Sequence, residues 1–171
     1  MKIDASELTY QLVESVSSTG FLDGWFFHLI NKLSELCESP IEARLGAAML
    51  FYDKFNGMPG FPLILAGQDE SWPSGCRLLT PQYQFQQYRI DWVIREDERL
   101  TFIECDGHDF HERTKAQAGR DKLKDRTIQG AGHPILRFTG SEIFEDALYC
   151  AAQISEFVDN RNVPSGTLEP A

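Results

Sequence analysis

Three acids and the turn that aligns them account for the chemistry that this sequence can do. Asp91 lies within RIDWVI, and Glu104 and Asp106 lie within FIECDG. Both stretches have the length and apolar content of strands. Side chains alternate along a strand, so Glu104 and Asp106 share one face while Ile103 and Cys105 share the other. A turn centred between Asp97 and Glu98 sets Asp91 directly across from Glu104, where opposed Cβ atoms lie about 4.5–5.5 Å apart. Two carboxylates at that separation repel and raise one another's pKa unless a cation lies between them. Exposed strand acids that happen to pair would show the same spacing. These two, however, are flanked by Ile90, Trp92, Ile103 and Cys105, in strands that read as central, where an unpaired acid is costly. Carboxylate oxygens suit Mg²⁺ or Mn²⁺, and such sites most often serve phosphoryl chemistry.

A phosphate-bearing partner has a place to land on the same chain. The 171 residues carry 16 Lys and Arg against 26 Asp and Glu, a net charge of -10 that by itself repels nucleic acid. The charge is unevenly placed. Between Arg113 and Arg137 stand seven basic residues and two acids, an excess of five positive charges, which leaves -15 on the rest. A solvated helix face is the plain alternative for that window. Lys115, Arg120, Lys122 and Lys124 cannot all face one way on a helix, so only some of them can reach a phosphate. Cys105, His108 and His111 have a spacing that invites a zinc reading, but alternation sends Cys105 to the face opposite Glu104.

The elements that must position these groups follow from periodicity and punctuation. Helices are expected from Ser6 to about Ser17 and from about Leu22 to Cys37. Ser39-Pro40-Ile41-Glu42 opens the next, with a cap serine, a proline at the first helical position and a glutamate at the third. It should run to about Phe55, stopped by Asn56-Gly57. Turn formers fill Gly57 to Gly75, leaving at most a short extended piece at Phe61 to Leu65. Strands are expected at Leu78 to Phe85, with a break at Pro81, then at Tyr88 to Ile94 and Leu100 to Asp106, the last two as a hairpin. A helix from about Glu112 to Gln129 leads to the strand Pro134 to Phe138. Ser141 is read as the cap of a final helix ending near Val158, followed by a loose tail. A strand reached through a crossover helix implies a mixed sheet with helices on both faces.

Length and composition fit one soluble α/β domain: hydrophobic residues make up 42% and charged residues 25%. No apolar run approaches the roughly 20 residues needed to span a bilayer, and the amino terminus lacks a signal-peptide layout. The four cysteines are scattered without a CxxC pair, which fits a cytoplasmic protein without a disulfide scaffold.

RIDWVI, FIECDGHDFH and RDKLKDRTIQGAGHPILRF, in that order, resemble the PD-(D/E)XK nuclease superfamily, and within it the very-short-patch-repair endonuclease branch and its small relatives. SPIEARL at Ser39 to Leu45 resembles the opening helix of that family, whose glutamate, here Glu42, faces the active site. The resemblance covers about Ser39 to Asp146 and implies a restriction-endonuclease-like core of helix, three strands, helix and strand. It also implies that Asp91 and Glu104 bind a divalent cation together with the backbone carbonyl of Cys105; Asp106, on the same strand face as Glu104, is a further candidate ligand. Asp106 and His111 fall where the repair endonucleases place histidines near the scissile phosphate. The final lysine of the family motif is replaced here by Asp106, so its role passes to His111, Lys115, Lys122 or a second metal ion. Glu42 is equally readable as a helix cap and as a site residue. Gln82 after Pro81 matches a recurring Pro-Gln of these relatives, a polar strand residue being the simpler reading.

The expected protein is a Mg²⁺- or Mn²⁺-dependent endonuclease with residues 1–38 as a helical extension, 39–159 as the nuclease-like domain and 160–171 as a tail. DNA is its expected substrate, with RNA as the other class, and His108, Lys115, Arg120, Lys122 and Arg126 its contacts. A homodimer or a protein partner is compatible with the sequence, and no membrane is involved. The competing expectation is a catalytically inactive module of the same fold that binds nucleic acid or a protein.

Overall fold

Ser39 and Glu42 begin the first long helix as the sequence implies. In the computed structural model, which describes residues 32–56, 62–69, 75–107 and 115–161, α1 spans Pro40–Asn56. The Glu42 N–H donates to Ser39 Oγ at 3.3 Å, and the Ser39 hydroxyl donates to Glu42 Oε1 at 2.7 Å. Residues 32–36 are also helical. The helix read from Ser6 to Ser17, the first part of the next one and nearly all of the tail lie outside the described residues.

The apolar runs form a meander of β2 (Arg77–Phe85), β3 (Tyr88–Glu96) and β4 (Arg99–Asp106). Pairing from Trp92↔Ile103 to Glu96↔Arg99 places the β3–β4 turn at Asp97-Glu98, the expected register. The three-residue β1, Leu63–Leu65, adds in parallel to β2 and realises the short extended piece in the long loop. α2 (Lys115–Gly130) crosses over to β5 (Ile135–Thr139), which lies parallel to β4. The result is a mixed sheet of order β1-β2-β3-β4-β5.

Two local expectations need correction. β2 runs through Pro81, which lies across from Trp92; the irregularity falls one residue later, at Gln82, whose φ is 49°. The final helix α3, Gly140–Asn160, is capped by Thr139 and not by Ser141. Glu142 is the third helical residue counted from Thr139. Its N–H donates to Thr139 Oγ1 at 3.2 Å, and its carboxylate accepts the Thr139 N–H at 2.7 Å. α3 kinks at Asp146, whose carboxylate accepts the Tyr149 N–H and caps the resumed turn.

Helices cover both faces, as the crossover requires. α1 and α3 bury Leu79, Trp92, Ile94, Ile103 and Phe138 on one face, while Ile128 of α2 meets Ile90, Val93 and Phe102 on the other. α1 lies so close to the sheet that a Cβ on Gly46 would stand 2.2 Å from Trp92 Cζ2. The Trp92 indole N–H donates to the Glu42 carbonyl at 2.9 Å, which fixes the first turn of α1 against β3. At the far end of the sheet Arg77 bridges Asp53 of α1 and Asp159 of α3, each at 2.7 Å. Among the described residues no helix is long and apolar enough to cross a membrane.

Candidate active site

β3 and β4 part company where the acids stand. Their ladder stops at Trp92↔Ile103, and at the next step Asp91 uses its side chain instead of its backbone. The Cys105 N–H donates to Asp91 Oδ2 at 2.7 Å. A backbone N–H in a sheet lies in the plane of that sheet, so the carboxylate sits between the strands. Glu104, the neighbouring residue on β4, is 8% exposed.

The electrostatics of the pair are those of acids held together against their preference. Burial, and then the charge of Glu104, push Asp91 up to about 7, against the pull of the Cys105 N–H. Burial likewise raises Glu104, with Lys124 drawing it back. Glu42 acts on Asp91 as a further negative charge. The thiols of Cys105 and Cys37, half-buried beside these carboxylates, are pushed up by desolvation and by the neighbouring negative charges and stay protonated.

Two cations answer the acids, and neither is a residue that the sequence reading assigns to the site. Lys124 of α2 donates from Nζ to Glu104 Oε1 at 2.6 Å and to the Arg89 carbonyl at 2.7 Å. Arg137 of β5 reaches Asp106 Oδ1 and Asp125 Oδ1, each at 2.8 Å, and approaches Glu104 Oε2 at 4.0 Å. Asp106 is thus buried against an arginine. Lys124 has a signal in the sequence, because it precedes Ile128 by four residues and so shares its face of the helix. The other large apolar residue of α2, Leu123, competes with that alignment and is 51% exposed.

Glu42 fills its expected role as a cap and also reaches β2. Besides its bonds to Ser39, its Oε2 accepts the Glu38 N–H at 3.0 Å and Gln82 Nε2 at 2.6 Å. Gln82 thereby joins β2 to the first turn of α1. Arg120, Lys122 and Arg126 are exposed on α2. His108, His111 and the side chain of Lys115 lie outside the described residues.

Asp91 and Glu104 offer hard oxygen donors, strained toward the neutral form, beside the backbone of Cys105. This donor chemistry fits Mg²⁺ or Mn²⁺, which relieve such repulsion. Among the described residues no group of three or more His, Cys, Asp and Glu side chains forms a ready-made metal cluster. The third shell position of a Mg²⁺ site built here would therefore come from the backbone or from water, which that ion commonly retains.

A family model named REase_MTES_1575, a restriction-endonuclease-like family, matches residues 74–158. That span takes in Asp91, Glu104, Asp106, Lys124 and Arg137 and omits Glu42. No curated protein and no solved structure matches the chain. With the mixed, helix-flanked sheet, the match supports a restriction-endonuclease-like nuclease superfamily.

Proposed function

We propose that this restriction-endonuclease-like protein is a metal-dependent endonuclease that hydrolyses phosphodiester bonds of DNA. One observation carries the reading. The lysine absent from the strand, where Asp106 stands, has a counterpart on the following helix, with Lys124 Nζ 2.6 Å from Glu104 and Asp91 alongside.

Asp91, Glu104 and the carbonyl of Cys105 would hold the divalent cation. Bound there, Mg²⁺ would supply the charge that neutralises the phosphate and lowers the pKa of an attacking water. Lys124 brings a proton-bearing ammonium to the same carboxylate and can orient that water or donate to a phosphoryl oxygen. Arg137 holds Asp106 and Asp125, so these acids act on Glu104 through the arginine they fix. Glu42, fixed by Ser39 and Gln82, adds negative charge toward Asp91. Arg120, Lys122 and Arg126 are placed to receive flanking phosphates, and His111 retains its place as a candidate proton carrier.

Cleavage of supercoiled plasmid in Mg²⁺ tests the reading. Wild type should nick the plasmid, EDTA should stop it, and Glu104→Gln should abolish it. A protein that cuts neither DNA nor RNA in Mg²⁺ or Mn²⁺ would support the second reading, an inactive nucleic-acid- or protein-binding module. That reading draws on the ion pairs of Lys124 and Arg137, which already neutralise Glu104 and Asp106.

A further inference from the structure

The outer part of the β2–β3 hairpin is turned over relative to the inner part. Leu79, Trp92 and Ile94 belong to the core under α1 and α3, whereas Tyr83 and Ile90 belong with the cluster on the α2 face. Trp92 and Ile90 are two residues apart on one strand and should share a face. They do not. The pairs Pro81↔Trp92 and Tyr83↔Ile90 keep one register, so no residue has been inserted and the change of face is not a bulge. It falls at the single position between them, where Gln82 stands across from Asp91.

Gln82 has the backbone to cause it. Its φ of 49° is left-handed, in a residue that is neither glycine nor asparagine and that stands in the middle of a strand. Such a conformation is strained and persists where the surroundings impose it. The consequence reaches Asp91. Regular alternation would send its side chain to the α2 face beside that of Val93. With the turn, the carboxylate lies in the plane of the sheet on the Cys105 N–H, within the fields of both Glu104 and Glu42. The same turn aims the Gln82 amide at Glu42.

We propose that Gln82 is a positioning residue of this site, whose left-handed backbone sets the Asp91 carboxylate between the strands. The proposal deepens the nuclease reading and rests on it for its catalytic consequence, but its structural consequence can be read without any activity. Amide hydrogen exchange of Cys105 reports directly on the bond to Asp91, and the amides of Ile103 and Thr101, which alternate with Phe102 and face β3 as Cys105 does, report on the ladder behind it.

The test compares Gln82→Val, which disfavours positive φ, with Gln82→Gly and Gln82→Asn, which tolerate it. In Gln82→Val, Cys105 exchange should quicken at least tenfold while Ile103 and Thr101 keep their protection, and kcat on plasmid should fall at least tenfold with KM unchanged. In Gln82→Gly and Gln82→Asn, Cys105 should stay protected. If Gln82→Val does not fold, Gln82→Ala carries the same comparison. Unchanged Cys105 exchange in the folded Val or Ala variant overturns the proposal, as does equal loss in Gln82→Gly. A wild type that cuts nothing but shows the expected exchange pattern overturns the nuclease reading and leaves the positioning role standing.

Discussion

Lys124 reaches Glu104 from the helix that follows the hairpin, Nζ to Oε1 at 2.6 Å, while the strand position two residues beyond Glu104 is occupied by an acid. The cation of the site is therefore delivered by α2, not by β4. Its second bond, to the Arg89 carbonyl, clamps the ammonium between the two strands that carry Asp91 and Glu104.

Removing that ammonium should cost catalysis more than binding. Lys124→Ala is expected to lower kcat by about 10²-fold or more, as loss of a general acid–base group does, with KM for DNA little changed. Steady-state kinetics on plasmid decides it, and an unchanged kcat would return Lys124 to a purely structural ion pair.

Restoring a lysine on the strand should not help. Asp106→Lys would replace the carboxylate that holds Arg137 at 2.8 Å with a second cation in a buried position. Breaking a buried pair costs about 3–5 kcal/mol, so the variant should melt well below wild type and cut no faster. A stable and more active Asp106→Lys would contradict the assignment of the cation to Lys124.

The hairpin register and the cap of α1 are legible in the sequence because they are local. Alternation fixes Glu104 against Cys105, and two turn residues fix Asp97-Glu98, so Asp91 and Glu104 can be brought to neighbouring strands one step past Trp92↔Ile103, although the departure of the Asp91 carboxylate from their shared face onto the Cys105 N–H cannot. Lys124 and Arg137 are not legible as partners, because helix rotation depends on which apolar residue docks, and Ile128 docks where Leu123 could have. Gln82 is harder still. Positive φ is usually announced by glycine or asparagine, and here the fold imposes it on a glutamine. The cap of α3 is misplaced by counting from Ser141, when Glu142 at the third helical position points back to Thr139.

Stability should depend on pH through Asp91. Its folded pKa, raised to about 7 from the ordinary 3.8, means that the folded protein holds a proton which the unfolded chain has released over that interval. Metal-free protein should therefore lose stability as pH rises from about 4 to 7, by up to about 1.4 kcal/mol for each pH step of one. Asp91→Asn should flatten that slope and melt higher than wild type at pH 7. Parallel pH profiles for the two proteins in thermal melts would count against a strained Asp91.

The exposed basic face of α2 should act without regard to sequence. Lys122 and Arg126 lie four residues apart on one side of the helix, and neutralising both should weaken binding to any duplex and make its salt dependence shallower. Fluorescence anisotropy across a salt series measures both effects. Unchanged affinity and slope would leave this face merely solvated.

The central claim, that Asp91 and Glu104 form a divalent-cation site, is met most directly by anomalous diffraction from crystals soaked in Mn²⁺. The account predicts a single strong peak bridging the two carboxylates, within coordination distance of the Cys105 carbonyl and absent from Asp91→Asn crystals. Crystals that show no peak there, with Lys124 still seated on Glu104 at saturating Mn²⁺, would contradict it.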